Sequence, residues 1–202
     1  MSRPIPIDEE IVLDPKEYIY STTDTKGIIR YGNKYFTLIS GYDFRELINQ
    51  PHNILRHPDM PRVAFKLMWE TIQKGGTFVG LVKNLAKSGK YYWVLAEIAP
   101  IKDKDSGEIV GYAAYRRAAP KEAVAKIIPI YKELVRIEKE NNNRMVESEK
   151  YLQDTLASLG MTYDEFIKSI TKLRGITALF FELMKKFFEH KKEGEKINNE
   201  SR

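Results

Sequence analysis

The chain contains no cysteine. That excludes a disulfide framework, a thiolate zinc site, an iron–sulfur cluster and a catalytic thiol. Long apolar runs are also missing, since none approaches the ~20 residues that cross a bilayer. Residues 1–10, with Asp8, Glu9 and Glu10, lack the basic-then-apolar pattern of a secretory leader. A cytoplasmic protein without membrane insertion is therefore expected. Charge of one sign is not in large excess either: 33 Lys and Arg face 28 Asp and Glu, and the surplus is spread along the chain. With no basic stripe, helix-turn-helix or zinc-finger pattern, nucleic acid is not an expected partner. Histidine is limited to His52, His57 and His190, too few and too scattered for a metal site. No P-loop, nucleophile–base pair or paired-carboxylate pattern is visible, so no enzyme is expected.

What the chain does have is apolar material, 43% of it, enough to bury a core. Two textures meet at Pro120. Before it lie short β-like runs, most of the glycines and both tryptophans; after it come long Lys, Glu, Leu, Ile and Phe stretches. These divide the chain into a compact α+β domain at 12–119 and a helical appendage at 120–195. Tyr18–Thr22 and Ile28–Tyr31 read as strands joined by the tight turn Asp24-Thr25-Lys26-Gly27. Asn33 and Asp43 open short helices, and Pro61 starts a longer one that Gly75-Gly76 ends. Thr77–Asn84, Tyr91–Ile101 and Ile109–Arg116 read as three strands with polar hairpin loops between them. A five-stranded antiparallel sheet with helices on one face, enclosing a small pocket, fits that order.

Particular residues sharpen this expectation. Thr22-Thr23-Asp24, Gly27-Ile28-Ile29 and Asn33-Lys34-Tyr35-Phe36 are followed by Ser40-Gly41-Tyr42 and by the more specific Asn53-Ile54-Leu55-Arg56-His57-Pro58-Asp59-Met60-Pro61. Together with Phe65, Trp69, Gly75, Gly80, Lys83-Asn84, Gly89 and Tyr92-Trp93-Val94, this pattern resembles the PAS domains of bacterial aerotaxis receptors, from Asp14 to Pro120. The resemblance implies a PAS fold that binds flavin adenine dinucleotide (FAD) and reports redox state to a chemotaxis transducer. The layout is similar to PAS-only energy-taxis proteins that work beside a separate transducer. The alternative is a PAS interaction module whose pocket is empty or holds a small ligand.

Each candidate pocket residue has a structural alternative. The Asn84 amide, at a strand end, could meet a ring edge, as the resemblance implies, or fix the hairpin. Asn33 could line the pocket or cap its helix. Arg56 suits a phosphate because its guanidinium forks onto two oxygens. His57 could donate to the cofactor or stabilise its loop, and Asp59 could orient either neighbour or cap the next helix. Phe65 and Trp69, four apart, share a helix face that serves as core, as flavin wall or as both. Of Tyr92 and Trp93 only one can point inward, and Trp93 is the candidate.

In the appendage, Val124, Ile127, Ile128, Tyr131, Leu134 and Val135 form an apolar face. Pro129 should kink that helix or mark a second start, and 138–144 reads as a polar break before the face resumes toward Gly160. Thr162-Tyr163-Asp164-Glu165 is a capping box opening a helix with a seam from Tyr163 to Phe187. That seam either folds into a hairpin within the chain or pairs with a transducer's helices or a second copy, a homodimer being the default.

Overall fold

A computed structural model describes residues 3–142 and 145–172. The sheet has five strands: β1 (Ile19–Thr23), β2 (Ile29–Gly32), β3 (Phe78–Leu85), β4 (Tyr91–Lys102) and β5 (Ile109–Ala118). Their spatial order is β2-β1-β5-β4-β3, and every neighbouring pair is antiparallel. β1 and β5 therefore sit side by side in the middle. β2 and β3 are consecutive in sequence yet lie at opposite edges, so the chain between them must cross the sheet.

That crossing is made by α1 (Lys34–Ser40), α2 (Phe44–Leu47), a 3-10 turn at His52–Leu55 and α3 (Arg62–Gln73). Local chemistry sets the breaks. Asp24 Oδ1 accepts the amides of Lys26 and Ile28, both at 2.9 Å, and Gly27 supplies the positive φ that closes the β1–β2 turn. Asp43 and Glu46 form a reciprocal capping box on α2. The core between helices and sheet is built on Ile19, Ile29, Phe36, Leu47, Leu55, Tyr92 and Val94.

Beyond β5 the chain forms α4 (Lys121–Glu140), α5 (Val146–Ser158) and α6 (Tyr163–Thr171). Pro129 neither ends α4 nor starts a second helix; α4 remains one element through it. The long helix expected up to Gly160 is instead split at Asn141–Asn142, where Asn142 takes a left-handed φ of 54° that asparagine tolerates better than most residues. Thr162 and Glu165 make the expected capping box at the start of α6. These helices are packed on the sheet, in one compact unit that runs to Thr171. Trp93 of β4 stacks on Tyr131 of α4, whose hydroxyl donates to Leu81 O at 2.9 Å, while Tyr163 of α6 stacks on Phe78 of β3. Tyr163, Phe166 and Ile170, the first members of the expected seam, are thus already buried within the chain; from Leu173 onward the seam lies outside the described residues.

Candidate functional site

Between α3 and the sheet lies a cavity of about 370 Å³, within the range of small-molecule sites. Its sheet side is made by every second residue of three strands: Val82 and Asn84 on β3, Ala96 and Ile98 on β4, Tyr112, Ala114 and Arg116 on β5. Ala96 and Ala114 are buried and end at Cβ, so this face leaves room where larger side chains would fill it. Opposite are Phe65, Met68, Trp69 and Ile72, the inward face of α3. Trp69 meets Tyr112 edge-on at 5.5 Å, closing one end. Gly27 belongs to that end as well: a Cβ there would lie 3.1 Å from the Trp69 ring.

Asn84 is only 5% exposed, and its side-chain amide has no hydrogen-bond partner among the described residues. Its donor and its acceptor are therefore both open to a ligand or water in the cavity. Several contacts hold Arg56 at the rim. Its backbone bridges Asn84 at the β3 edge, its Nη2 donates to Met60 O at 2.8 Å, and its guanidinium lies 4.5 Å from the Phe65 ring centre. Pro51, Asn53 and Arg56 also line a second, wider cavity of about 550 Å³. That cavity carries Arg3, Arg62 and Lys139 beside Arg56, against the single carboxylate Glu138. Both Glu138 oxygens are occupied by backbone amides, Oε2 by Arg62 N and Oε1 by Val63 N. The pair of cavities thus offers an apolar slot leading to a cationic cleft.

Of the seven residues singled out from the sequence, the structure brings Arg56, Phe65, Trp69 and Asn84 together at the cavity. Three lie elsewhere. Trp93 has the opposite strand phase to Ala96 and faces α4, so the inward member of the Tyr92–Trp93 pair is Tyr92, which enters the core. Asn33 is saturated by capping: its Oδ1 accepts from Phe36 N and Tyr20 N, and its Nδ2 donates to Tyr18 O. His57 is buried in its loop, where Nδ1 accepts the Asp59 amide at 3.1 Å and the ring meets Tyr91 edge-on. Asp59 pairs with Lys83 at 2.7 Å and does not cap α3. The helix is capped instead by Glu138, from the segment that read as a polar break.

Among the cavity residues missed in the sequence are Arg116 and His52. Arg116 shares the strand phase of Tyr112 and Ala114, but its neighbour Arg117 has the opposite phase, and the sequence alone leaves open which of the two points inward. His52 shows no sequence signal of its own, because its place follows from the irregular turn that carries it.

A family model for the PAS fold matches residues 29–115, the segment that builds the sheet and encloses the cavity. Residues 29–115 are a PAS domain. Over 133 residues, 66% of this chain, the sequence is 41% identical to the aerotaxis receptor of Escherichia coli (strain K12), covering 26% of that protein. It is 32% identical over 97 residues to the nitrogen fixation regulatory protein of Klebsiella pneumoniae, covering 48% of this chain and 19% of the relative. The chain thus spans about a quarter or less of these curated relatives. Among solved structures, the light state of the blue-light photoreceptor Aureochrome1 LOV superimposes with a TM-score of 0.50 at 23% identity, over 55% of this chain and 88% of that one. That likeness concerns the fold. Within the PAS domain no group of three or more His, Asp or Glu is placed to hold a metal among the described residues, and no described helix is long and apolar enough to cross a membrane.

Proposed function

We propose that the PAS domain binds FAD and acts as a redox sensor, signalling through protein–protein contacts and catalysing no reaction on a substrate of its own. The observation that carries this reading is the Asn84 amide, which makes no bond to the protein and opens onto an aromatic and aliphatic slot. A flavin ring needs such a slot, with a donor and an acceptor at its polar edge. The resemblance to aerotaxis receptors supports the same assignment, and the similarity to a protein named for aerotaxis agrees with it.

The cationic cleft beyond Arg56 favours a dinucleotide over a mononucleotide. The ring would lie against Phe65 and Trp69, Arg56 would take the first phosphate at the rim, and the cleft with Arg3, Arg62 and Lys139 would receive the rest. When bound, the flavin supplies reversible electron uptake. The chain's part is to hold the ring edge through Asn84, exclude water with the α3 face and pass strain to neighbouring elements. β5 leads directly into α4, and α4 returns through Glu138 to the start of α3. A change at the cavity therefore has two covalent or hydrogen-bonded routes into the C-terminal helices. We further propose that these helices engage a chemotaxis transducer in the cytoplasm, and that two copies of the chain pair through the seam that continues past Thr171.

Titration of flavin-free protein with FAD and with FMN, followed calorimetrically, tests the assignment. Tight FAD uptake with clearly weaker FMN uptake is expected. Failure to take up either would leave the interaction-module reading in its place.

A further inference from the structure

Arg116 is 6% exposed and reaches the cavity from β5, the central partner of β1 and β4. Its Nη1 donates to Ser21 Oγ at 3.0 Å and its Nη2 contacts His52 Nε2 at 2.9 Å. A guanidinium can only donate, so His52 Nε2 must be the acceptor, and the ring proton sits on Nδ1. Burial and the adjacent Arg116 push the His52 pKa down to about 3, which keeps the imidazole neutral. Ser21 is neutral. Tyr92 is buried close by, and its phenol is pushed upward by desolvation, so it too stays uncharged. Arg116 is therefore a buried cation whose partners are all neutral.

The surroundings do not compensate it. Among the described residues that line the cavity, Lys26, Arg56 and Arg116 are basic and none is acidic. Burial lowers the Arg116 pKa to about 10, still well above neutrality, so the charge persists in a setting of low dielectric. Proteins normally pair such a charge with a carboxylate, because desolvation of a lone ion is expensive. Here the unanswered field points into a cavity shaped for a ring. It acts most strongly on a ligand whose charge differs between two states.

We infer that Arg116 is the redox-tuning residue of this cavity, its charge stabilising the reduced, electron-rich state of the bound flavin over the oxidised state. The inference rests on the flavin reading above. Electrons come from an external donor, which is dithionite in the assay and is oxidised to sulfite. The ring gains two of them together with one proton from solvent water, no bond to the protein forms or breaks, and Arg116 contributes charge without giving up a proton. Asn84 differs in kind: its neutral amide recognises the ring edge in both states, whereas Arg116 discriminates between them.

The test uses the full chain. Equilibrium dialysis against FAD, aerobically and under anaerobic dithionite, gives the affinities of the two states, and titration with a reference dye gives the midpoint potential of the bound flavin. Wild type should bind reduced FAD about tenfold or more tightly than oxidised FAD, with a potential more positive than that of free FAD. Arg116→Gln should lose most of that preference and move the potential negative, while Arg116→Lys, which keeps the charge, should retain much of it. Equal affinities in wild type, or an undiminished preference in Arg116→Gln, would overturn the inference. So would an Arg116→Lys protein that binds FAD but has lost the preference, since geometry and not charge would then matter. If Arg116→Gln fails to fold, the wild-type affinities and Arg116→Lys still decide. A wild type that binds neither state removes the flavin reading itself, whereas one that binds both equally removes only the role of Arg116.

Discussion

Glu138 of α4 accepts the backbone N–H of Val63 on α3 at 2.9 Å, across 75 positions of sequence. Its other oxygen takes the Arg62 amide at 2.8 Å, and Ser148 of α5 donates at 3.3 Å to the same oxygen that accepts from Val63. The first amides of a helix have no partner within the helix, and Pro61 supplies no side-chain cap to α3. A residue of the C-terminal segment thus completes the helix that walls the cavity. Lys66 of α3 pairs with Glu149 of α5 at 2.5 Å, adding a second tie between the same parts.

Replacing Glu138 should therefore weaken the PAS domain from outside it. Glu138→Ala leaves two helix amides without their acceptor and is expected to cost roughly 1–3 kcal/mol. Glu138→Gln keeps one acceptor oxygen and should cost less. Urea denaturation of the full chain measures both. Hydrogen exchange should show the Arg62 and Val63 amides losing protection first.

At the cavity the expectation is reversed, with binding lost and stability kept. Asn84→Ala removes an amide that makes no bond to the protein, so the melting temperature should stay close to wild type while FAD uptake falls at least tenfold. Phe65→Ala is a poorer test. Loss of a large apolar side chain can cost about 3–5 kcal/mol and release the ligand by unfolding.

Trp93 provides the complementary control. It stacks on Tyr131 at 6.4 Å, on the sheet face away from the cavity. Trp93→Phe should leave FAD affinity unchanged and lower stability modestly through the α4 contact. A large loss of FAD affinity in a folded Trp93→Phe protein would place this side chain at the site after all.

Acid should destabilise the fold before its carboxylates titrate. Burial and Arg116 hold the His52 pKa at about 3, while burial and Lys83 hold that of His57 at about 4, outweighing the opposing pull of Asp59. Both rings are neutral in the folded protein, whereas in the unfolded chain they titrate near ~6.5. Between these values the unfolded chain binds more protons, so stability is full above pH ~6.5 and is lost as pH falls toward about 4. Urea midpoints from pH 7 to pH 4.5 should fall accordingly. His52→Gln, which keeps an acceptor for Arg116 but cannot titrate, should flatten part of that slope.

Much of this architecture was legible in the sequence because it rests on local chemistry. The five strands begin and end within two residues of their expected limits, and Asn33, Asp43 and Thr162 cap where their side chains suggest. The misplacements have long-range causes. Glu138 falls on the Ile127, Tyr131, Leu134 stripe of α4, but only the folded chain shows that helix amides from α3 meet it there. Trp93 looked inward because an aromatic pair on a strand does not reveal which face belongs to the pocket. His57 sits between two candidate ligand residues, yet the loop turns its ring away from the cavity toward Tyr91. Arg116 was hidden by a neighbour of the same type, Arg117, which leaves the phase of the strand ambiguous.

The flavin assignment is tested most directly by the absorption spectrum of the freshly purified full chain, recorded before any cofactor is added and again after incubation with excess FAD and removal of the unbound fraction. The expected result is the two-banded visible and near-ultraviolet absorption of an oxidised flavin, present at the outset or acquired on incubation, bleached by dithionite and restored by air. A folded protein that is colourless, and stays colourless after incubation with FAD and with FMN, would contradict the account.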